Sequence, residues 1–449
     1  MSYGCRDCQV SHAGRALPDI EPGMPTPAGT GMSRRAFVAR TTGLALGIYG
    51  GASALSGRAF EHGIAQAAAT KAGPTLVSVF LAGGADSLSV LFPAGDPQYY
   101  ALRPRLALPQ SAGTQFAEDA RLRWHPAASG IAQLHAEGKV SVVPAIGYDH
   151  SDKSHFTSRH YYEVGATDAM LRTGWLGRFL AHLGSPDNPM QGLSLDTFLQ
   201  PALATARMPV SSLEGADRYG FKPPSVPTHP LEAQMFEAAS TLGFAHSSSH
   251  DAGLVTAGKA AVAAHELADG LRTLSLSSPV AYPKSNDAFP SRLQGLAAML
   301  AAGLPIKVAT LTGTGSYDTH ANQATSLQSG LQVTSDSLLA FQRDLEARGI
   351  ADRVLVHVWS EFGRRGAENG SQGTDHGAAG IGFLIGTRAA GKLIGEFPGV
   401  TGGLDDQGNL KPRADFRSVY AALLEQWFKV DADAIIPAAS AFARPVLLK

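Results

Sequence analysis

Five short apolar runs constrain this chain more than any other feature. They are Thr75–Leu81 (TLVSVFL), Lys139–Ile146 (KVSVVPAI), Ile306–Leu311 (IKVATL), Arg353–Trp359 (RVLVHVW) and Ile381–Ile385 (IGFLI). Segments with helical patterning separate them, around Ile131–Glu137, Gly174–Leu183, Arg292–Ala302, Leu327–Ala347 and Arg417–Phe428. Runs this short and this rich in β-branched residues, without polar alternation, are what strands covered on both faces require. The pattern predicts an α/β fold: three αβα layers around a mostly parallel central sheet. From about Ser185 to Pro290 the texture changes to Pro/Ser-rich turns and Ala-rich stretches such as Ala257–Leu271, which predicts a largely helical insertion or cap.

In such sheets ligands bind beyond the carboxyl ends of the strands, so the residues after each run carry the functional information. Gly83-Gly84-Ala85-Asp86-Ser87 follows the first run, and Tyr317-Asp318-Thr319-His320 lies shortly after the third. Ser360-Glu361-Phe362-Gly363-Arg364 follows the fourth, and Thr374-Asp375-His376-Gly377 precedes the fifth. Three strand ends thus supply carboxylates, and two Asp/His clusters share the same loops. An extended Asp-x-His segment can turn both side chains toward one cation. Such a donor set without thiolate suits Zn²⁺ or Mn²⁺, and a second, carboxylate-rich and weaker subsite would suit Mg²⁺ or Ca²⁺.

The N-terminus reads as an address. Ser33-Arg34-Arg35-Ala36-Phe37 precedes a Gly/Ala-rich apolar stretch from Thr41 to about Ser56, and Ala65-Gln66-Ala67 offers a small-residue cleavage site. This resembles a twin-arginine export signal, too short and too Gly-interrupted for a spanning helix. The expected division is therefore 1–70 as extension and signal, and 71–449 as one αβα domain. The protein would meet the twin-arginine translocation machinery and work in the periplasm or outside the cell, with no stable membrane span. Both cysteines, Cys5 and Cys8, fall in the first segment, so the remainder has no thiol for a disulfide or a metal. Without residues 1–70 the chain carries 31 basic and 34 acidic residues, a net charge of −3, which argues against a nucleic-acid partner.

Taken together, GGADSLSV, SHFTSRHYYEVG, YDTHANQ, WSEFGRR and GTDHGAAGIGFLIG resemble the domain-of-unknown-function 1501 family, whose members are typically twin-arginine exported. That family in turn looks like a branch of the alkaline phosphatase, sulfatase and cofactor-independent phosphoglycerate mutase superfamily. The resemblance implies one or two metals and hydrolysis of a phosphate or sulfate ester. It also implies that Asp86 bridges metals, that Asp318, His320 and His376 bind one of them, and that Glu361 stands at a strand-terminal aspartate position. A rival alignment places Asp375-His376-Gly377 there instead. Phe362 then replaces a histidine of the second metal subsite, and the lack of cysteine after residue 70 argues against formylglycine chemistry.

Ser154 is the expected nucleophile, with Thr157 and Ser158 as alternatives, and it reads equally as a plain helix N-cap. Arg364 either meets a substrate anion or pairs with Glu361. His155 and His160 read as core or surface histidines more readily than as site residues, His160 above all, and His357 reads as packed within its strand. Two functions follow. One is an exported, metal-dependent hydrolase of a small-molecule or envelope ester. The other is a non-catalytic, metal-stabilised envelope binding or assembly protein on the same scaffold.

Overall fold

The computed structural model describes residues 73–449, apart from 216–228 and scattered positions between 186 and 273. The expected export signal and both cysteines lie outside the described residues. In chain order the central strands are β1 (Thr75–Phe80), β2 (Val140–Gly147), β3 (Gly192–Ser194), β4 (Ser211–Ser212), β5 (Val308–Thr312), β6 (Val354–Trp359), β7 (Gly380–Ile385) and β8 (Ala414–Asp415). They form an eight-stranded sheet in the order β8-β2-β7-β6-β1-β5-β3-β4. Only β7 runs antiparallel, to β2 and β6; every other pairing is parallel.

Alternation along each strand feeds two cores. Val77 and Val79 of β1, with Val354, Val356 and Val358 of β6, pack on one face. That face is covered by α1 (Ser129–Ala136), α5 (Phe289–Ala301) and α6 (Gln323–Ala347). Leu76, Phe80, Leu355 and Trp359 face the other side, under α2 (His155–Val164), α3 (Trp175–Leu183) and α7 (Phe416–Leu423). Both faces are therefore dry, which is why the runs read as continuously apolar. The fold is the three-layer α/β arrangement that the sequence predicts.

The region expected to be an insertion behaves differently at its start. Gly192–Ser194 and Ser211–Ser212 join the sheet as its edge, β3 pairing in parallel with β5. Strands of two and three residues are too short to leave a periodic signal in the sequence. The helical character returns in α4 (His229–Ala245). No helix among the described residues is long and apolar enough to cross a membrane.

Candidate metal centre

The parallel strands β1, β2, β5 and β6 end on the same rim, where the antiparallel β7 begins. Their loops therefore meet. Gly83 lies directly against the third-run loop: its φ is +113°, and a Cβ there would collide with the backbone nitrogen of Asp318. Glycine is needed because L side chains disfavour that φ and no room exists for one. The Asp318 loop, the His376 loop and the N-terminus of α2 thus converge on one point.

Three imidazoles surround the Asp318 carboxylate through their Nε2 atoms. His320 Nε2 lies 3.0 Å from Oδ1, His376 Nε2 lies 3.3 Å from Oδ1, and His155 Nε2 lies 3.4 Å from Oδ2. His320 and His376 bring their Nε2 atoms within 3.0 Å of each other. One donor atom each from His155, Asp318 and His376 falls within 4.8 Å of the others. Donors around a tetrahedral Zn²⁺ at roughly 2.0–2.1 Å are roughly 3.3–3.4 Å apart, so these spacings are of the right size.

The far nitrogen of each ring is held. His155 Nδ1 meets Glu361 Oε1 at 2.9 Å, His320 Nδ1 meets Asp375 Oδ1 at 3.3 Å, and His376 Nδ1 donates to the Lys153 carbonyl at 2.8 Å. An acceptor behind each imidazole fixes its tautomer with Nε2 as a lone pair directed inward, the arrangement in which histidines ligate metals. His155 Nε2 is moreover buried, and it approaches Asp318 Oδ2 no closer than 3.4 Å. The donor set of three imidazoles and one carboxylate fits a borderline divalent cation such as Zn²⁺ or Mn²⁺.

Protonation answers the same geometry when no cation is considered. Burial alone would depress the His155 pKa, yet hydrogen bonds to Asp318 and Glu361 outweigh it and raise it to about 9. Burial opposes ionisation of Asp318, but His155, His320, His376 and Arg364 together hold its carboxyl far below the usual range. Burial lowers the His376 pKa, keeping that ring neutral near pH 7.

Of the six expected metal ligands, Asp318, His320 and His376 present atoms to the centre, and three do not. Glu361 is spent behind it: its carboxylate accepts from the amides of Gly83 and Gly84 and from Ser360 Oγ, besides facing His155. Asp375 likewise stands behind His320. Asp86 is the clearest departure, because Arg103 lies opposite it in an ion pair of 2.6 Å whose side chains are 0% and 1% exposed. Asp86 also caps its own short helix and accepts from Ser89 and Gln323. Asp86 and Glu361, expected to form a second subsite, both already hold partners, Arg103 for the one and His155 with the Gly83 and Gly84 amides for the other. Phe362 packs there instead, its ring 4.6 Å from that of His376 and 4.9 Å from that of His155.

Arg364 is fully buried, and its guanidinium donates to the carbonyls of Gly83, Gly84 and Thr374 and to Asp318. It braces three loops and pairs with Asp318, not with Glu361. Ser154 is the N-cap of α2, its Oγ accepting from the amides of Phe156 and Thr157 at 3.3 and 3.4 Å. His155, the next residue, is the candidate ligand that sequence reasoning undervalued. Its signal was position: the first helical residue after a strand-end loop.

Behind the centre lies a second feature the sequence did not announce. Gln323, 1% exposed, donates through Nε2 to Asp86 Oδ2 at 2.5 Å and accepts through Oε1 from Thr319 and Thr374 at 2.9 and 2.5 Å. Thr319 lies between Asp318 and His320, and Thr374 immediately precedes Asp375-His376. One buried amide therefore ties both ligand loops to the Asp86–Arg103 pair. The amide of Thr374 adds a backbone bond to the Thr319 carbonyl at 3.0 Å.

Residues 142–435 match the family described as Protein of unknown function (DUF1501). The chain belongs to this family. The match spans β2 to the segment after α7 and so includes every group of the centre. No curated protein matches the chain. Among solved structures it is similar to Ps i-CgsB in complex with k-i-k-neocarrahexaose, at 10% identity and a TM-score of 0.38, covering 83% of this chain and 75% of that one. It is also similar to the PsFucS1 sulfatase from Pseudoalteromonas sp., at 11% identity and a TM-score of 0.35 over 87% and 77% of the two chains. The phosphonate monoester hydrolase of Agrobacterium radiobacter is similar at 8% identity and a TM-score of 0.30, over 79% and 74%.

Proposed function

We propose that this member of the family is an exported, metal-dependent hydrolase of a phosphate or sulfate ester. One observation carries the metal reading: three Nε2 atoms converge on Asp318 while each ring's other nitrogen is held by Glu361, Asp375 or the Lys153 carbonyl. The ester class rests on the motif resemblance. His155, Asp318, His320 and His376 would hold the cation, with Zn²⁺ or Mn²⁺ best matched to the donors. Once bound, such a cation supplies Lewis-acid polarisation of an ester oxygen and eases deprotonation of the attacking oxygen.

The chain's own residues do the rest. Glu361 and Asp375 hold the inward tautomers, and Arg364 fixes the Asp318 carboxylate by a 2.7 Å contact. Asp318, His155 and His320 are each about a quarter exposed on their side chains, so the centre is open on one side to substrate. The nucleophile is Ser154 Oγ or a water in its place. The two amides that make Ser154 a cap would also stabilise negative charge on its oxygen. Export by the twin-arginine route follows from Ser33–Phe37 and delivers the protein to the periplasm or beyond.

A second reading has its own support. His320 brings a fourth protein donor to the centre, and four protein ligands close a tetrahedral sphere as structural sites do. On that reading the metal stabilises an envelope binding or assembly protein. The deciding experiment measures bound metal in the purified chain, then turnover over a panel of phosphomonoesters, phosphodiesters and sulfate esters. Stoichiometric metal that is lost in His376→Ala, with turnover lost in Ser154→Ala or His155→Ala, supports the hydrolase. Metal without turnover favours the structural reading, and no bound metal sinks both.

A further inference from the structure

The helix that supplies His155 carries a second group of interest one turn further on. Arg159 follows His155 by four residues in α2, so the two share a face of the helix. Long side chains on a helix lean toward its N-terminus, which for α2 is the rim that holds the metal centre. Burial opposes ionisation of Glu361, yet His155 and the charge of Arg159 both pull its pKa down, which places Arg159 within electrostatic reach of the centre.

The guanidinium is fixed by its surroundings. Its Nε donates to Glu163 Oε1 at 2.8 Å, its Nη2 donates to Gln200 Oε1 at 3.0 Å, and its carbon lies 4.6 Å from the centroid of the Phe80 ring. Gln200 is itself oriented, because its Nε2 is spent on Asp196 Oδ2 at 2.5 Å and Thr312 Oγ1 at 3.1 Å. Phe80 and Thr312 end β1 and β5, and Asp196 follows β3. The loops and strand ends of the rim therefore position this arginine as they position the centre.

One end of the guanidinium stays uncommitted. Nη1 makes no hydrogen bond among the described residues and is open to solvent. The Arg159 side chain is 30% exposed, whereas those of Arg103 and Arg364 are 0% exposed. Of these three arginines around the centre, Arg159 is the one that a ligand arriving from solvent can touch. Its rotamer freedom is already lost to Glu163, Gln200 and Phe80, so binding through Nη1 adds little further ordering cost. A purely structural pairing with Glu163 engages Nε and gives no role to Nη1.

We propose that Arg159 is the anion-binding residue of this site: its Nη1 receives a non-bridging oxygen of the phosphate or sulfate group seated at the metal centre. This rests on the hydrolase reading above. It narrows the substrate to an ester whose acid part keeps at least two non-bridging oxygens, one directed to the centre and one to Arg159.

The test is calorimetric titration of the full chain, loaded with Zn²⁺, with inorganic phosphate and with inorganic sulfate at low salt. Removing Arg159 alone would strand the buried Glu163 carboxylate, so the variant is Arg159→Gln/Glu163→Gln, with Glu163→Gln as its companion. The double variant binds the tighter of the two anions about 10–100-fold more weakly, the range for a hydrogen bond to a charged group. Glu163→Gln binds it at least as tightly as the parent, and both variants retain the parent's zinc. The stronger of the two anion responses identifies the acid part of the ester. A double variant that binds like the parent, an equal loss in both variants, or a parent that binds neither anion overturns the assignment. Arg159-dependent anion binding with no ester turned over sinks the hydrolase reading and leaves the anion site standing. Turnover with unchanged kcat/KM in the double variant does the reverse.

Discussion

Gln323→Leu is the most informative single change, because it keeps the volume and removes one buried amide. That amide makes contacts to Asp86 Oδ2, Ser89 Oγ, Thr319 Oγ1 and Thr374 Oγ1, all among buried groups. Asp86 survives the loss best, since Arg103 still meets both of its oxygens. Thr319 has a second acceptor, the Tyr317 carbonyl at 3.3 Å. Thr374 Oγ1 is the group left most exposed to the loss. An unmet buried hydroxyl costs about 1–3 kcal/mol, so with partial compensation at Thr319 the expected destabilisation is about 2–4 kcal/mol. Urea unfolding of the metal-free protein measures it. The same change loosens both ligand loops, and disturbed support behind metal ligands typically costs about 10–100-fold in affinity, read by competition with a chromogenic chelator. A loss below about 1 kcal/mol together with unchanged metal affinity would falsify the view that this amide holds the centre together.

Glu361→Gln should lower metal affinity by about 10–100-fold without abolishing binding, because the residue supports His155 and is not itself a ligand. Asp86→Asn leaves Arg103 as a buried, uncompensated charge and should cost about 3–5 kcal/mol in urea unfolding, with any metal loss secondary. Ser154→Ala should cost about 1 kcal/mol through the lost cap whatever the nucleophile is; abolished turnover with metal retained assigns the attack to Ser154, and retained turnover assigns it to water. Acid stability carries a histidine signature. Burial depresses His357 to about 3 and His125 to about 4, so below about 6.5 the unfolded chain takes up protons that the folded one refuses. Stability is full above 6.5 and falls as the pH drops toward 4, and for His357 toward 3. His357→Leu should flatten that dependence by about 1.4 kcal/mol per pH unit, and an unchanged slope in unfolding at pH 5 and 6.5 would refute it.

The strands and their order of function were legible because local patterning specifies them. Apolar runs this short and this rich in β-branched residues favour strands covered twice, and in such sheets the rim loops that follow them are where ligands bind. The two-residue and three-residue strands at the β3–β4 edge were not legible, since their pairing with β5 is fixed by neighbours and not by their own composition.

At the centre the division is finer. From the chain alone it follows that Asp318, His320, Glu361, Asp375 and His376 stand near strand ends, the first three beyond strands and the last two just before one. Which of them face inward could not follow from order, because Glu361 and Asp375 differ from Asp318 only in what lies across the gap. Tertiary packing brought His155 from the next helix, put Arg103 against Asp86 and turned Arg364 onto carbonyls. Spacing along a chain selects residue types for a rim. Whether a carboxylate is a ligand or a support is settled by the donors already bonded to it, and those arrive from segments up to hundreds of residues away.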